Sequence, residues 1–181
     1  MKRGDNISGY TVLSLLGEGG MAQVYEVEKD GVKYALKVCK PQYEDDVPRF
    51  KREFRMLSTI HNQNVIQVFC DGEVDGVPFY IMEMGDSSLA DVANRDLSID
   101  DRFKYIMQVC RGVEAIHSAG IVHRDLKPNN VIIRDGIMKV SDFGLGRFVM
   151  RDTTSLTLTG SSMGTYGYAA PELEEEFGAF P

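Results

Sequence analysis

The sequence has few cysteines and no long apolar run, and both shortages restrict what kind of protein it can be. Its three cysteines, Cys39, Cys70 and Cys110, lie far apart and form neither a CxxC pair nor a metal-ligand spacing. Such a small, odd number argues against a disulfide framework and favours a reducing compartment, so we expect a cytoplasmic location. No apolar run approaches the roughly 20 residues that a membrane span needs, and residues 1–9 are too polar for a signal peptide. We therefore expect no membrane segment within this chain.

Basic residues are also in the minority. The chain has 20 Lys and Arg residues against 27 Asp and Glu residues, and its net charge is -7. Because binding to a phosphate backbone needs a basic face, this charge argues against nucleic acid as a partner. Hydrophobic residues make up 43% and charged residues 26% of the 181 residues, which is typical of a soluble globular domain with a packed core.

The first eighty residues have the pattern of a small antiparallel sheet with one helix. Val, Leu and Tyr are concentrated in five predicted strands, at residues 10–16, 22–28, 32–39, 65–70 and 77–82. Between the third and fourth strands, Phe50, Phe54 and Leu57 recur at spacings of four and three, which predicts a helix over residues 47–60.

From residue 98 the hydrophobic period becomes that of a long helix. Ser98 is a suitable N-cap, and one face of the helix carries Phe103, Ile106, Met107, Cys110, Val113 and His117. We expect this face to pack into the core of a second, helical lobe. A long irregular stretch follows over residues 141–167, and its length indicates either a function or disorder.

Glycines are concentrated between the first two predicted strands. The segment comprises Leu16, Gly17, Glu18, Gly19, Gly20, Met21, Ala22, Gln23 and Val24. Glycines allow backbone N–H groups to approach phosphate oxygens closely, although a flexible hairpin alone explains the same composition. On the next strand, alternation places Ala35 and Lys37 on one face, which suits a purine floor and a phosphate clamp.

Glu53 borders the inward face of the predicted helix. A buried carboxylate needs a partner, because an unpaired charge in a core is costly. Lys37 is the obvious candidate, and a solvated glutamate at the rim of the helix is the alternative.

Two neighbouring segments contain the residue types that phosphoryl transfer requires. Residues 123–130 read His-Arg-Asp-Leu-Lys-Pro-Asn-Asn, and residues 141–144 read Ser-Asp-Phe-Gly. Phosphoryl transfer depends on positioning and charge neutralisation. Asn130 and Asp142 are hard oxygen ligands of the kind that Mg²⁺ takes beside phosphates. Asp125 is placed to accept a hydroxyl proton, and Lys127 can meet the charge of the transferring group.

These features resemble, in order and spacing, the signature set of the eukaryotic-type (Hanks-type) serine/threonine protein kinases. The set comprises the glycine segment, Lys37, Glu53, the segments 123–130 and 141–144, and Ala170-Pro171-Glu172. The resemblance covers residues 10–172, and the glycine segment is most similar to the bacterial branch. It implies an α+β, two-lobed fold in a single incomplete kinase domain over residues 1–181. The N-lobe, residues 1–83, would hold a five-stranded antiparallel sheet with one helix. A hinge over 84–87 would lead to the first half of the helical C-lobe, 88–181, with an activation loop at 142–172.

The resemblance also implies ATP as a substrate with Mg²⁺, or Mn²⁺ as an alternative, and it assigns the nucleotide contacts. Residues of the glycine segment would cover the phosphates, and Lys37, held by Glu53, would bind the α- and β-phosphates. The adenine contacts would be Val24, Ala35, Ile132, the gatekeeper Met82 and backbone groups of Glu83 and Gly85.

By the same resemblance, Asp125 is the catalytic base and Asn130 and Asp142 bind the metal. Lys127 and Thr165 resemble the residues that mark serine/threonine specificity, so protein substrates with Ser or Thr are implied. Thr157 and Thr159 match positions that bacterial relatives autophosphorylate, and self-association would serve trans-autophosphorylation. A merely solvated polar loop is the alternative for these two threonines.

The expected function is therefore a serine/threonine protein kinase. The alternative is a truncated, kinase-like module that binds nucleotide or a partner without turnover, because family members continue with further helices beyond the position of Pro181. In either case we expect the helical lobe to expose an apolar face.

Overall fold

The computed structural model describes residues 1–93, 95–144, 147–148, 165 and 167–168 of the chain. Its N-terminal part contains the strands β1 (Asn6–Ile7), β2 (Tyr10–Glu18), β3 (Ala22–Lys29), β4 (Val32–Cys39), β5 (Val68–Val74) and β6 (Val77–Glu83). They form one antiparallel sheet in the order β1-β2-β3-β4-β6-β5. The sheet agrees with the expected N-lobe architecture.

The sheet has six strands, so the predicted number of five is wrong by one. The additional strand β1 consists of two residues that pair with Tyr10 and Thr11 of β2. The chain reverses between the two strands through Ser8 and Gly9, which have φ angles of 53° and 88°. A strand of two residues is too short for any alternation of apolar and polar residues to reveal it.

The sequence predicts that the fourth strand begins at residue 65, but strand β5 begins at Val68. The residues before it bond elsewhere: Val65 forms a parallel bridge with Val140, and the amide of Ile66 donates to the Val140 carbonyl at 2.9 Å. This short stretch therefore ties the sheet to the second lobe.

Three further hairpins in the described part of the chain share an Asp-Gly pair in which both residues have positive φ. These pairs are Asp30-Gly31, Asp75-Gly76 and Asp135-Gly136. Two consecutive residues of this conformation form a two-residue turn whose twist matches that of the flanking strands. The sequence Lys29-Asp30-Gly31 predicts the first of these turns, and the structure confirms it.

Helix α1 (Asp46–Ser58) packs on the sheet and buries Phe50, Glu53, Met56 and Leu57. Phe50, Met56 and Leu57 belong to a core cluster that continues into the second lobe through Ile116, Ile121 and Phe143. Because Glu53 occupies the same buried face, the helix brings one carboxylate into this core.

The second lobe contains strand β7 (Ser87–Ser88), helix α2 (Leu89–Ala93), helix α3 (Ile99–Ser118), strand β8 (Ile121–Val122), a 3-10 turn (Pro128–Asn130) and the strands β9 (Val131–Arg134), β10 (Ile137–Val140) and β11 (Arg147–Phe148). Strands β10, β9 and β7 form one small sheet, and β11 pairs with β8. As the sequence predicts, Ser98 caps α3: its hydroxyl accepts from the Asp101 amide at 3.0 Å. None of the helices in the described part of the chain combines the length and apolar character that a membrane crossing requires.

The prediction for the core face of α3 is wrong. Phe103 and Ile106, which belong to the apolar face predicted to be buried, are 66% and 59% exposed. The buried residues of the helix are instead Gln108, Gly112 and Ile116. Of the predicted face, Val113 alone is half-buried and packs against the core cluster.

Close packing and a buried hydrogen bond explain which side of α3 faces the core. A Cβ atom on Gly112 would lie 2.4 Å from the carbonyl oxygen of Asn64, so only glycine allows this approach. The side-chain oxygen of Gln108 accepts from the buried amide of Met138 at 3.0 Å. The apolar face turns outward as a result, which agrees with the expectation that the helical lobe exposes one.

Candidate active site

Asp125 lies on the loop between β8 and β9, and three side chains hold its carboxylate. Thr165 Oγ1 donates to Oδ1 at 2.8 Å, whereas Asn130 Nδ2 lies 3.0 Å and Lys127 Nζ 2.8 Å from Oδ2. Lys127 also donates to Thr165 Oγ1 at 2.6 Å. The structure thus brings together four residues that are separated by up to forty positions, with the carboxylate at their centre.

The loop is anchored by the buried imidazole of His123. Its Nε2 lies 2.9 Å from the carbonyl oxygen of Ser141, and its Nδ1 accepts from the Asp125 amide at 3.3 Å. The ring also packs on Phe143, with 4.8 Å between centroids. Arg124 and Asp142 adopt left-handed backbone conformations, with φ of 67° and 62°. Such strained residues persist where the surrounding structure holds them, and they are common at functional sites.

Lys37 of β4 pairs with Glu53 of α1 in the core. Its Nζ donates to both carboxylate oxygens of Glu53, at 2.8 and 3.0 Å, and to Oδ1 of Asp142 at 3.2 Å. The Lys37 and Glu53 side chains are 12% and 2% exposed. The predicted pair is therefore present, and the alternative of a solvated Glu53 is excluded.

Charge stabilises this arrangement. Burial is the strongest single influence on the pKa of Lys37 and lowers it, but the neighbouring groups, Glu53 first and Asp142 among them, together outweigh burial, so the pKa lies well above the ordinary lysine value. The ammonium of Lys37 in turn lowers the pKa of Asp142, against the opposing effect of burial. Lys37 consequently stays protonated between two carboxylates, one buried and one half-exposed.

A cavity of about 600 Å³ lies between the sheet and the second lobe. Its lining includes eleven of the predicted site residues, namely Leu16, Gly17, Val24, Ala35, Lys37, Met82, Glu83, Gly85, Asn130, Ile132 and Asp142. Its lining combines apolar side chains, such as those of Val24, Met82 and Ile132, with the polar groups of Lys37, Asn130 and Asp142. Cavities of this size and character are typical of small-molecule sites.

A second cavity of about 300 Å³ lies under the glycine segment and leads to Asp125. It is lined by Gly19, Gly20, Met21, Ala22, Val24, Lys37, Phe50, Glu53, Asp125, Asp142 and Gly144. The segment above it is tied to the chain after β4, since Gln42 Nε2 donates to the Gly20 carbonyl at 3.0 Å and the Lys40 amide to Met21 at 2.8 Å.

Two predicted residues of the glycine segment line neither cavity. The Glu18 carboxylate pairs with Lys40, and the side-chain oxygen of Gln23 accepts from the Tyr25 hydroxyl at 3.0 Å. Both side chains are engaged outside the two cavities, so only their backbone groups could face a ligand there.

A family model described as "Protein kinase domain" matches residues 10–177. The chain belongs to the protein kinase family. Among its relatives, the probable serine/threonine-protein kinase pknA2 of Bifidobacterium longum is 35% identical over 92% of this chain and 23% of its own length. The serine/threonine-protein kinase MPS1 of Saccharomyces cerevisiae is 35% identical over the same shares. The serine/threonine-protein kinase PknD of Mycobacterium tuberculosis is 34% identical over 93% of this chain and 26% of its own length. The chain thus spans about a quarter of the length of these curated relatives.

A buried ion pair links the two lobes of the kinase domain at the end of β6. Lys139 of β10 lies 2.8 Å from Oε1 of Glu83, the last residue of β6, and also donates to the Gln63 carbonyl at 2.9 Å. The amide of Glu83 bonds to the Gln67 carbonyl at 2.9 Å.

Gly85 packs closely against the wall of the larger cavity. A Cβ atom at this position would lie 2.0 Å from Cγ2 of Ile132, so a side chain here would displace the isoleucine that lines the cavity.

The sequence analysis missed several residues that line the larger cavity of about 600 Å³, including Ile66, Tyr80 and Ser141. For Tyr80 a signal existed, because it lies two residues before Met82 on β6 and alternation places both on one face. Ile66 offered no such signal, since it precedes β5 and its position depends on the bond to Val140.

The predicted phosphorylation sites Thr157 and Thr159 lie outside the described residues, as do Ala170, Pro171 and Glu172. Thr165 is described, and its contacts with Asp125 and Lys127 are those given above.

Acid is expected to destabilise the kinase domain through His123. Burial lowers the pKa of this imidazole, so the unfolded chain binds the proton more tightly than the folded chain. The stability that neutral His123 contributes is therefore present above the pKa of the unfolded state and is lost as the pH falls below it. We expect the free energy of unfolding to decrease between pH 7 and pH 5, with a contribution from this group of at most about 1.4 kcal/mol per pH unit.

Urea unfolding at several pH values measures this effect. The variant His123→Gln, which has no titratable group at this position, should show a flatter pH profile than the wild-type chain. Parallel profiles for the wild-type chain and His123→Gln would contradict the assignment.

Proposed function

We propose that this kinase domain transfers the γ-phosphate of Mg-ATP to serine or threonine hydroxyls of proteins. The observation that carries the proposal is the Asp125 carboxylate, held by Thr165, Asn130 and Lys127. It lines the cavity under the glycine segment, which shares Lys37 and Asp142 with the larger, nucleotide-sized cavity. The names of its relatives, serine/threonine-protein kinases of bacteria and yeast, support the same function. The composition favours a cytoplasmic location for this domain.

We place ATP in the larger cavity, with its base among the apolar side chains. Val24, Ala35 and Ile132 would enclose the adenine, and Met82 would limit the depth of the pocket. The phosphates would then lie under the glycine segment and near Lys37, whose charge is secured by Glu53. A preorganised ammonium of this kind stabilises phosphate charge without reorganising during the reaction.

Asn130 and Asp142 would hold the magnesium ion, with Mn²⁺ as an alternative. Both line the same cavity, both offer hard oxygen atoms, and the Asp142 side chain is half-exposed toward that space. Magnesium commonly takes one or two protein ligands and completes its shell with water and substrate phosphates. When bound, the metal neutralises charge on the phosphates of the nucleotide.

In the proposed reaction the hydroxyl oxygen of the acceptor attacks the γ-phosphorus of ATP. A bond forms between these two atoms, the bond from the γ-phosphorus to the bridging oxygen breaks, and ADP leaves with that electron pair. Asp125 accepts the hydroxyl proton, and Lys127 faces the negative charge of the transferring group. The bonds from Thr165 and Asn130 hold the Asp125 carboxylate in one orientation for this step.

Thr157 and Thr159 are the proposed autophosphorylation sites of this domain. A phosphothreonine adds a charge of about -1.5 to -2 and can order a loop by pairing with arginine. In this proposal two copies of the chain associate, and the active site of one copy transfers phosphate to the activation loop of the other.

The proposed function is tested with ATP labelled in the γ-phosphate and two matched peptide libraries. One library offers Ser and Thr as its only acceptor hydroxyls, and the other offers Tyr. We expect label in the first library and none in the second. Label confined to the Tyr library would contradict the proposed specificity. Stabilisation of the chain by Mg-ATP in a thermal melt, with no label in either library, would instead support the binding-module alternative.

A further inference from the structure

The linker between β4 and α1 holds the glycine segment from one side. The amide of Lys40 donates to the Met21 carbonyl at 2.8 Å, and Nε2 of Gln42 donates to the Gly20 carbonyl at 3.0 Å. Gly20 and Met21 both line the cavity of about 300 Å³ that leads to Asp125. The position of this part of the cavity wall therefore depends on the shape of the linker.

The shape of the linker is fixed by Asp46, the first residue of α1. This residue is 3% exposed, and its Oδ2 atom accepts from the amides of Gln42 and Tyr43 at 2.8 and 2.9 Å. The amide of Asp46 in turn donates to the Tyr43 carbonyl at 3.2 Å. A buried charge is costly unless it is hydrogen-bonded, so the carboxylate and the linker hold each other in one arrangement.

Asp46 thereby connects two parts of the structure that are proposed to bind the nucleotide phosphates. Through the linker it holds the glycine segment, and it belongs to the helix that carries Glu53. Glu53 pairs with Lys37, and both residues line the same cavity as the glycine segment. A binding site whose parts are held in place before the ligand arrives loses less conformational entropy on binding, so it binds the ligand more tightly.

We propose that Asp46 is a positioning residue for the nucleotide, which keeps the glycine segment over the phosphates by fixing the linker that carries Gln42. This proposal rests on the proposed kinase function. Both amides of the linker donate to a single oxygen atom of Asp46. The role therefore requires a hydrogen-bond acceptor at this position and does not require its negative charge.

The variants Asp46→Ala and Asp46→Asn separate the acceptor from the charge, because asparagine keeps one oxygen atom. Binding of a non-hydrolysable ATP analogue with Mg²⁺ is measured by calorimetry, at a temperature at which each variant is folded. We expect Asp46→Ala to raise the dissociation constant about fivefold, which is the contribution of about one hydrogen bond, and Asp46→Asn to raise it less than about twofold. The KM for ATP in the peptide assay should rise in the same order, with kcat within about twofold of the wild-type value.

Asp5→Ala is the matched control for the loss of an acceptor. Asp5 also accepts a backbone amide, that of Lys2 at 2.7 Å, and it lines neither of the two cavities described above. This variant should bind the analogue as tightly as the wild-type chain. An unchanged dissociation constant in folded Asp46→Ala would overturn the proposal, and so would equal increases in Asp46→Ala and Asp46→Asn.

The variant Gln42→Met tests the route from Asp46 to the glycine segment. It lies at an exposed position, and it removes the donor to Gly20 while keeping the length of the side chain. We expect the dissociation constant to rise about threefold. In the double variant Gln42→Met/Asp46→Ala the increase should stay near fivefold, because both changes release the same segment, whereas independent effects would multiply to about fifteenfold. An increase of that size would refute the route through Gln42.

Hydrogen exchange, resolved by amide with NMR, tests the coupling without nucleotide. The amide of Lys40 bonds to the Met21 carbonyl, so its exchange rate reports whether the linker still holds the glycine segment. Asp46→Ala should raise this rate at least about threefold, and Asp46→Asn should not. An unchanged rate in Asp46→Ala would contradict the proposal. If the wild-type chain bound the analogue but transferred no phosphate from ATP, the proposed function would fail, and the titrations would still decide the role of Asp46.

Discussion

The variant Asp125→Asn is expected to transfer phosphate about 10²–10⁴-fold more slowly than the wild-type chain. An amide cannot accept the hydroxyl proton, yet it has the size and shape of the carboxylate. Its oxygen can still accept from Lys127 and Asn130, and its NH2 group can donate to the Thr165 hydroxyl oxygen. We therefore expect Mg-ATP to stabilise the variant as much as the wild-type chain in a thermal melt. The rate is measured with the Ser/Thr peptide library and the labelled nucleotide.

Asp135→Asn provides the matched control for this loss. Asp135 lies in the turn between β9 and β10, its side chain is 84% exposed, and its φ of 50° is a conformation that asparagine also tolerates. The control should retain the full rate. If Asp125→Asn transferred phosphate at the wild-type rate, the assignment of Asp125 as the general base would be wrong.

The variant Lys37→Met is expected to abolish most of the activity and also to destabilise the fold. It removes the ammonium proposed to bind the phosphates and leaves Glu53 as an unpaired carboxylate in the core. Removing one partner of a buried ion pair typically costs about 3–5 kcal/mol of stability. Urea unfolding measures the loss of stability, and the peptide assay measures the loss of activity.

Lys51→Met is the matched control, because it breaks an ion pair of the same type at the surface. The Lys51 and Glu73 side chains are 51% and 55% exposed, and such pairs contribute about 0–1 kcal/mol. The double variant Lys37→Met/Glu53→Gln separates the two effects of Lys37→Met. Because it no longer buries an unpaired charge, it should recover stability while remaining inactive. Recovery of activity in the double variant would contradict the role of Lys37 in phosphate binding.

The sequence predicts the structure correctly where a single residue or pair of residues has a clear chemical requirement, such as a turn conformation, a helix cap or a partner for a charge. The Asp30-Gly31 pair predicts a tight turn because both residues accept positive φ, and Ser98 predicts a helix start because its hydroxyl can accept from an amide of the first turn. The pairing of Lys37 with Glu53 follows from a similar requirement, since a carboxylate on a buried helix face needs a partner.

The sequence-based predictions fail where the structure depends on contacts between residues that are far apart in the sequence. The apolar stripe of α3 is visible in the sequence, but the buried side is decided by the fit of Gly112 against Asn64 and by the bond from Met138 to Gln108. The position of Tyr80 opposite Lys37 likewise depends on β4 and β6 being neighbours in the sheet. Neither relation can be read from residues that are close in the sequence.

Mass spectrometry of the purified chain after incubation with Mg-ATP tests the central proposal most directly. The wild-type chain should carry new phosphate on Thr157 or Thr159, and Asp125→Asn, incubated in parallel, should carry almost none. This result would mean that these 181 residues bind ATP and transfer its phosphate to a threonine hydroxyl. A folded chain that Mg-ATP stabilises but that acquires no phosphate on any Ser or Thr would contradict it, and would leave the family membership without the activity.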